Sequence, residues 1–138
     1  MSCLFCRIVA GDAPAAVAYE DEHCVGCLDI RPLFHGHVLL VPRTHVVTLP
    51  ELPPDLVAPL FTAAQRVAVA VVEAMDAKGT FVAMNNTVSQ SVAHLHVHVV
   101  PRRPKDGLRG FFWPRTTYED DAQMQAVAAK IRLASSAG

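Results

Sequence analysis

Three histidines at alternate positions, His94, His96 and His98, are the residues of this 138-residue chain whose type and spacing point most directly to chemistry. The segment Ser91 through Val100 reads as a strand, and successive side chains of a strand face opposite ways. The imidazoles then share one face, with Leu95, Val97 and Val99 on the apolar other. Each buried imidazole needs its own polar partner, so three in register argue for a site rather than for core packing. Three chemistries are open to such a row: ligation of a catalytic zinc, nucleophilic attack by one ring with help from its neighbours, or phosphate binding by protonated rings. Rings on one strand face are ~6.5 Å apart and the outer two ~13 Å, whereas the ligands of one zinc lie ~2.1 Å from the metal and so close together. A nucleophile flanked by two helpers fits that spacing better.

The four cysteines form two pairs, Cys3-x-x-Cys6 and Cys24-x-x-Cys27, with seventeen residues between them. Such spacing permits a four-cysteine zinc ribbon. Cys24 and Cys27, however, fall in a strand pattern, where residues three apart face opposite sides and cannot clasp one ion. They read as small apolar core residues. Cys3 and Cys6 lie at an irregular or helical start, where they can converge.

The elements that must position these residues follow from periodicity. Val17-Ala18-Tyr19, Cys24 through Leu28 and Val38 through Val41 read as antiparallel strands. The three-and-four spacing of apolar residues from Leu56 to Met75 predicts a long helix with Asp55 as N-cap, Pro59 in its first turns and Gly79 as its stop. Thr80 through Met84 and Ser91 through Val100 are two further strands, the second ended by Pro101. Thr117 and Asp120 resemble a capping box opening a C-terminal helix that carries Met124, Val127, Ala128 and Ile131. The expected class is α+β, an antiparallel sheet of about five strands with the long helix packed on it. The Pro-rich stretch 49–54 reads as a connection within a single domain spanning 1–138.

Twelve basic against thirteen acidic residues leave a net charge of −1, which removes the electrostatic case for a nucleic-acid partner. A hydrophobic content of 51% supports a real core. The apolar runs are broken by Gln65-Arg66 and Pro42-Arg43, short of the ~18 uninterrupted apolar residues of a membrane span. The start of the chain shows no secretory leader pattern, so a cytoplasmic protein with cysteines as thiols or metal ligands is expected.

The run His94 to Val100 resembles the signature of the histidine-triad family of nucleotide hydrolases and transferases. Leu4 through Ile8, Tyr19-Glu20-Asp21, Leu28 through Pro32, Gly36 through His45 and Gln90-Ser91-Val92 resemble further blocks of that family, in its order. The resemblance implies that His96 attacks the α-phosphorus of a purine nucleotide and carries a covalent nucleotidyl group until water releases it. It implies that His98 donates to phosphate oxygens, that His37 fixes the protonation and orientation of the nucleophile, and that Ser91 and Gln90 lie near the phosphate. Asp29 would hold the ribose hydroxyls, with a turn-forming Asp as the alternative. Phe5, Ile8, Leu28 and Ile30 would wall the base. The loop from Asn85 to Ser89 lacks the glycines usual before Gln-Ser, and Asn85 or Asn86 would contact phosphate. In bacterial members resembling this chain, the positions of Cys3, Cys6, His45 and His94 hold a structural zinc, no metal being required for the chemical step. A homodimer is implied as well. Two rival readings stay open: an AMP-binding regulatory module with little turnover, and a metal-dependent hydrolase in which the triad itself binds zinc.

Overall fold

Short runs rich in Val, Leu and Cys pair side by side because each has one face to bury on either side of a sheet. The computed structural model describes residues 3–108 and 115–136, which divide into two units at the Asp106–Gly107 link. In the first unit, β1 (Val17–Glu20), β2 (Cys24–Leu28) and β3 (Val38–Pro42) form an antiparallel meander, and β4 (Gly79–Ala83) and β5 (Val97–Arg102) follow the long helix. The order across the antiparallel five-stranded sheet is β1-β2-β3-β5-β4. β5 therefore lies between β3 and β4, and Val97, Val99 and Val100 are fully buried.

Strand alternation sorts the core into two layers. Cys24, Val38, Leu40, Val97 and Val99 pack on α2 (Pro54–Ala74), which contributes Leu60, Ala63, Ala64, Val67 and Val71. Val25 and Val41 face the other way and hold Phe5 of the short helix α1 (Leu4–Ala10). α2 is long and apolar enough to cross a membrane, but its five buried residues cover the sheet and Gln65 and Arg66 interrupt it midway.

Several boundaries differ from those expected. α2 begins at Pro54 with Pro53 as N-cap, so Asp55 lies in the first turn and Pro59 is inside the helix. Its end is set by Met75 and by Asp76 at φ 52°, and Gly79 opens β4 instead of stopping the helix. The last expected strand is regular only from Val97, and Pro101 continues it through Arg102, pairing with Thr80. Residues 91–96 are irregular, which frees His94 and His96 from strict strand geometry. Within the Pro-rich connection, Thr48 and Glu51 cap a single 3-10 turn at Leu49–Glu51. Gly36 (φ 95°) ends the loop before β3, where a Cβ would come within 2.6 Å of Met75 Cγ. Only glycine allows that close approach of the His37 loop to α2.

The second unit contains α3 (Asp121–Ser136). Asp120 takes the role expected of Thr117: its Oδ1 accepts from the Gln123 N–H at 2.8 Å, while Gln123 Oε1 accepts from the Glu119 N–H at 2.6 Å.

Candidate active site

The cleft lies on the sheet face opposite α2. Across the strands, Cys27 pairs with Leu39 and Leu39 with His98, so these three side chains form a row on one face. They floor a cleft of about 250 Å³ whose walls include Phe5 and Ile8 of α1, the Leu28-Asp29-Ile30 corner after β2, Ser91 and His96. Phe5, Ile8, Leu28, Asp29, Ile30, Ser91, His96 and His98 are thus brought together as expected residues of one site. Leu4, Pro14, Ala15, Cys27, Leu39 and Val92 also line it and were not anticipated. The pairing register would have found Leu39 and Cys27, since both are in line with His98. Pro14 and Ala15 come from an irregular loop with no pattern to read.

Hydrogen bonds fix the tautomers of the triad. The buried His96 ring has Nδ1 2.8 Å from the His94 carbonyl oxygen. A carbonyl only accepts, so Nδ1 carries the proton and Nε2 the lone pair. The Leu33 N–H donates to His37 Nδ1 at 3.1 Å, which puts the His37 proton on Nε2, 2.9 Å from His98 Nδ1. His98 Nδ1 accepts that proton's bond, so His98 Nε2–H is the donor on the ring that lines the cleft. The His96 and His98 rings lie 5.1 Å apart, centroid to centroid. His37 therefore bonds His98, and the group that bonds His96 is the His94 backbone carbonyl, not His37.

Burial, reinforced by the neighbouring His96 and His37 and opposed by Asp29, lowers the His98 pKa to about 4. Burial also lowers that of His37, again against the pull of Asp29. The free site thus offers neutral N–H donors at neutral pH, not protonated rings. In the unfolded chain a histidine takes up its proton near pH ~6.5. Between that pH and about 4 the unfolded state binds more protons, so stability falls as the pH drops through this window. The melting temperature followed from pH 7 to pH 4 is expected to decline less steeply in His98→Gln than in the native chain; equal slopes would show that His98 does not contribute.

The remaining expected residues are placed elsewhere. Asn86 Oδ1 accepts from the Leu49 N–H at 2.7 Å. Gln90 Oε1 accepts from the Thr87 N–H at 2.9 Å, and Gln90 Nε2 donates to the Val47 carbonyl at 2.6 Å. These amides pin the 86–90 loop to the segment after β3, and neither they nor Asn85 line the cleft. Asp29 takes the turn position considered for it and also lines the cleft. Its Oδ1 accepts from the Arg31 N–H at 2.9 Å in a turn, and Oδ2 faces His37 Nδ1 at 3.8 Å from within the cleft wall.

On the far side of Phe5, four donors converge: Cys3, Cys6, His45 and His94. Their observed separations are 3.4 Å (Cys3 Sγ to His94 Nδ1), 3.5 Å (Cys6 Sγ to His94 Nδ1), 3.2 Å (Cys6 Sγ to His45 Nδ1) and 3.1 Å (His45 Nδ1 to His94 Nδ1). A tetrahedral zinc with sulfur at about 2.3 Å and nitrogen at about 2.1 Å requires edges of roughly 3.4 to 3.8 Å, within a few tenths of an ångström of these. His94 Nε2–H donates to the Pro42 carbonyl at 2.9 Å, turning the Nδ1 lone pair into the cluster. Burial, with Cys3 close by, pushes the Cys6 thiol up, and a bound cation would offset that by favouring its thiolate. The set fits zinc. Cys24 and Cys27 take no part: Cys24 packs under α2 with its thiol pushed up to about 11 by burial, and Cys27 faces the cleft.

An antiparallel sheet backed by one long helix, with one imidazole on a central strand and another just before it, both lining an apolar cleft, defines a histidine-triad protein. The chain belongs to the HIT domain family, whose model matches residues 10–105. A crystal structure of a HIT family member from Bacillus subtilis superposes with a TM-score of 0.85 at 33% identity, covering 96% of each chain. A zinc-bound histidine triad family protein from Mycobacterium smegmatis is 42% identical, with a TM-score of 0.75 over 97% of this chain and 98% of that one. The adenosine 5'-monophosphoramidase of Schizosaccharomyces pombe is 32% identical over 96% of this chain and 100% of its own length. Cys3 and Cys6 precede the residues matched by the family model.

Proposed function

We propose that the chain is a nucleotide hydrolase of the histidine-triad type that cleaves a purine nucleoside 5′-phosphate conjugate at its α-phosphorus. The observation that carries this reading is the tautomer chain. His96 Nε2 holds its lone pair in the cleft because Nδ1 is committed to the His94 carbonyl, and His98 Nε2 holds a proton because Nδ1 is committed to His37. His96 Nε2 attacks the α-phosphorus, the bond to the leaving oxygen or nitrogen breaks, and that atom departs with the electron pair, a leaving nitrogen taking up a proton from solvent. His98 Nε2–H and the Ser91 hydroxyl meet the charge that gathers on the phosphate oxygens. Water then attacks the same phosphorus and releases a proton to solvent, the P–N bond breaks with its electron pair returning to His96 Nε2, and the nucleoside monophosphate leaves. None of these steps needs a metal.

The apolar floor and walls accommodate a base by stacking and burial, and the phosphoramidase relative supports an adenosine conjugate as substrate. The cluster of Cys3, Cys6, His45 and His94 is read as a closed structural zinc site. The reading places all the chemistry in the first unit, with 1–138 taken as a single histidine-triad domain that works in the cytoplasm. A homodimer is part of it, supported by the outer edge of β4 and by exposed Val82 there and Phe61 and Val69 on α2.

Brief mixing with a conjugate labelled on its α-phosphate, followed by denaturation, is expected to leave label on His96. Label that never becomes covalent while AMP binds well would make the chain a binding module instead. Asp29→Asn keeps an oxygen for the Arg31 turn, whereas Asp29→Ala removes both functions. Both variants should lose about tenfold of the preference for ribose over 2′-deoxyribose substrates, as expected for a hydrogen bond of roughly 1.5 kcal/mol to a charged group. Equal losses on the two sugars would assign Asp29 to the turn alone.

A further inference from the structure

The metal cluster and the nucleotide cleft share α1. This helix has seven residues, too few to be stable by itself, and Phe5 is its one buried side chain among the described residues. Its N-cap, Cys3, makes no side-chain capping bond. Cys3 and Cys6 lie two residues before and one after Phe5, and they meet His45 and His94 from the sheet side. The Phe5 ring stands edge-on to His94, centroids 5.8 Å apart, and against His96 at 5.1 Å. Phe5, Leu4 and Ile8 then form one wall of the cleft. His94 joins the two sites a second time, because its ring belongs to the cluster while its carbonyl orients the nucleophile.

We propose that Cys3, Cys6 and His45 are positioning residues for nucleotide binding: by clasping a metal together with His94 they dock α1 against the sheet, and the docked helix supplies the base wall. The proposal rests on the nucleotide reading above and adds that metal occupancy sets nucleotide affinity, not stability alone. If α1 stays docked only about a tenth of the time without the clasp, apparent affinity falls about tenfold, because only the docked fraction binds. Linkage makes the effect reciprocal, so AMP raises the affinity for zinc by the same factor.

The test measures AMP binding by calorimetry, well below the melting temperature, for the zinc-loaded native chain, Cys6→Ala, Phe5→Ala and the double variant. The native chain binds AMP; if it did not, the nucleotide reading would fail before any variant was examined, and this proposal with it. Cys6→Ala and Phe5→Ala are each expected to bind about tenfold more weakly, and the double variant no more weakly than the worse single one, since both act through one wall. Leu60→Ala, in the core under α2, should lower the melting temperature and leave AMP affinity unchanged. Native affinity in Cys6→Ala, or losses that multiply in the double variant, would overturn the proposal. Should Cys6→Ala fail to fold, zinc affinity of the native chain against a competing chelator, with and without AMP, decides the matter: a rise with AMP supports the coupling and an unchanged value overturns it.

Discussion

His96→Ala is expected to lower turnover by on the order of 10⁵-fold, the scale on which removal of an activated nucleophile acts, while AMP binding survives. The two effects separate because the ring contributes its lone pair at Nε2, whereas Phe5, Ile8, Asp29, Ser91 and His98 remain to hold the nucleotide. The His96 ring is 3% exposed, and its removal opens space toward Phe5 without stranding a charge. The His94 carbonyl loses the Nδ1–H donor, a cost that a water in the space vacated by the ring can meet. Steady-state rates on an adenosine phosphoramidate, beside calorimetric AMP binding, give both numbers. Turnover within tenfold of native would rule out His96 as the nucleophile, and joint loss of binding and turnover would assign it to phosphate recognition.

The alternation of His94, Leu95, His96, Val97 and His98 made the site legible, and it did so even though the backbone is regular only from Val97. Leu95, Val97 and Val99 are all fully buried on the α2 side, so burial preserves the period of two beyond the end of the ladder. The long helix was legible because its apolar spacing persists for five turns. Its ends were not, since Pro53 and Asp76 terminate it by backbone conformation rather than by a capping side chain or a glycine. The roles of His37, Asn86 and Gln90 needed coordinates for a different reason. Their partners, His98, the Leu49 N–H and the Val47 carbonyl, come from other parts of the chain, and two of the three are backbone groups that carry no side-chain signal. Cys24 and Cys27, by contrast, were separable from Cys3 and Cys6 by strand geometry alone, and that separation has a measurable consequence.

Purified under reducing, chelator-free conditions, the chain is expected to carry about one zinc, with two sulfur ligands near 2.3 Å and two nitrogens near 2.0 to 2.1 Å in X-ray absorption. Cys3→Ala and Cys6→Ala should each lose most of that metal. The loss should lower the melting temperature by more than the ~4 °C that 1 kcal/mol gives in a domain of this size, because a metal bound only by the folded state adds its binding energy to folding. Cys24→Ala should keep the zinc and lose stability only through the cavity it leaves beneath α2. Cys27→Ala should keep it too, since that thiol opens on the cleft. His45 is the exposed ligand, and His45→Ala should retain metal better than His94→Ala, whose ring is fully buried and oriented by the Pro42 carbonyl. The contrast decides between two physical pictures. Metal lost from the Cys24 or Cys27 variants would mean a four-cysteine ribbon, which the opposite facing of those two side chains in β2 forbids. Metal lost from the Cys3 and Cys6 variants alone would place the ion at the meeting point of α1 and the sheet, one residue from the aromatic ring that packs against His96.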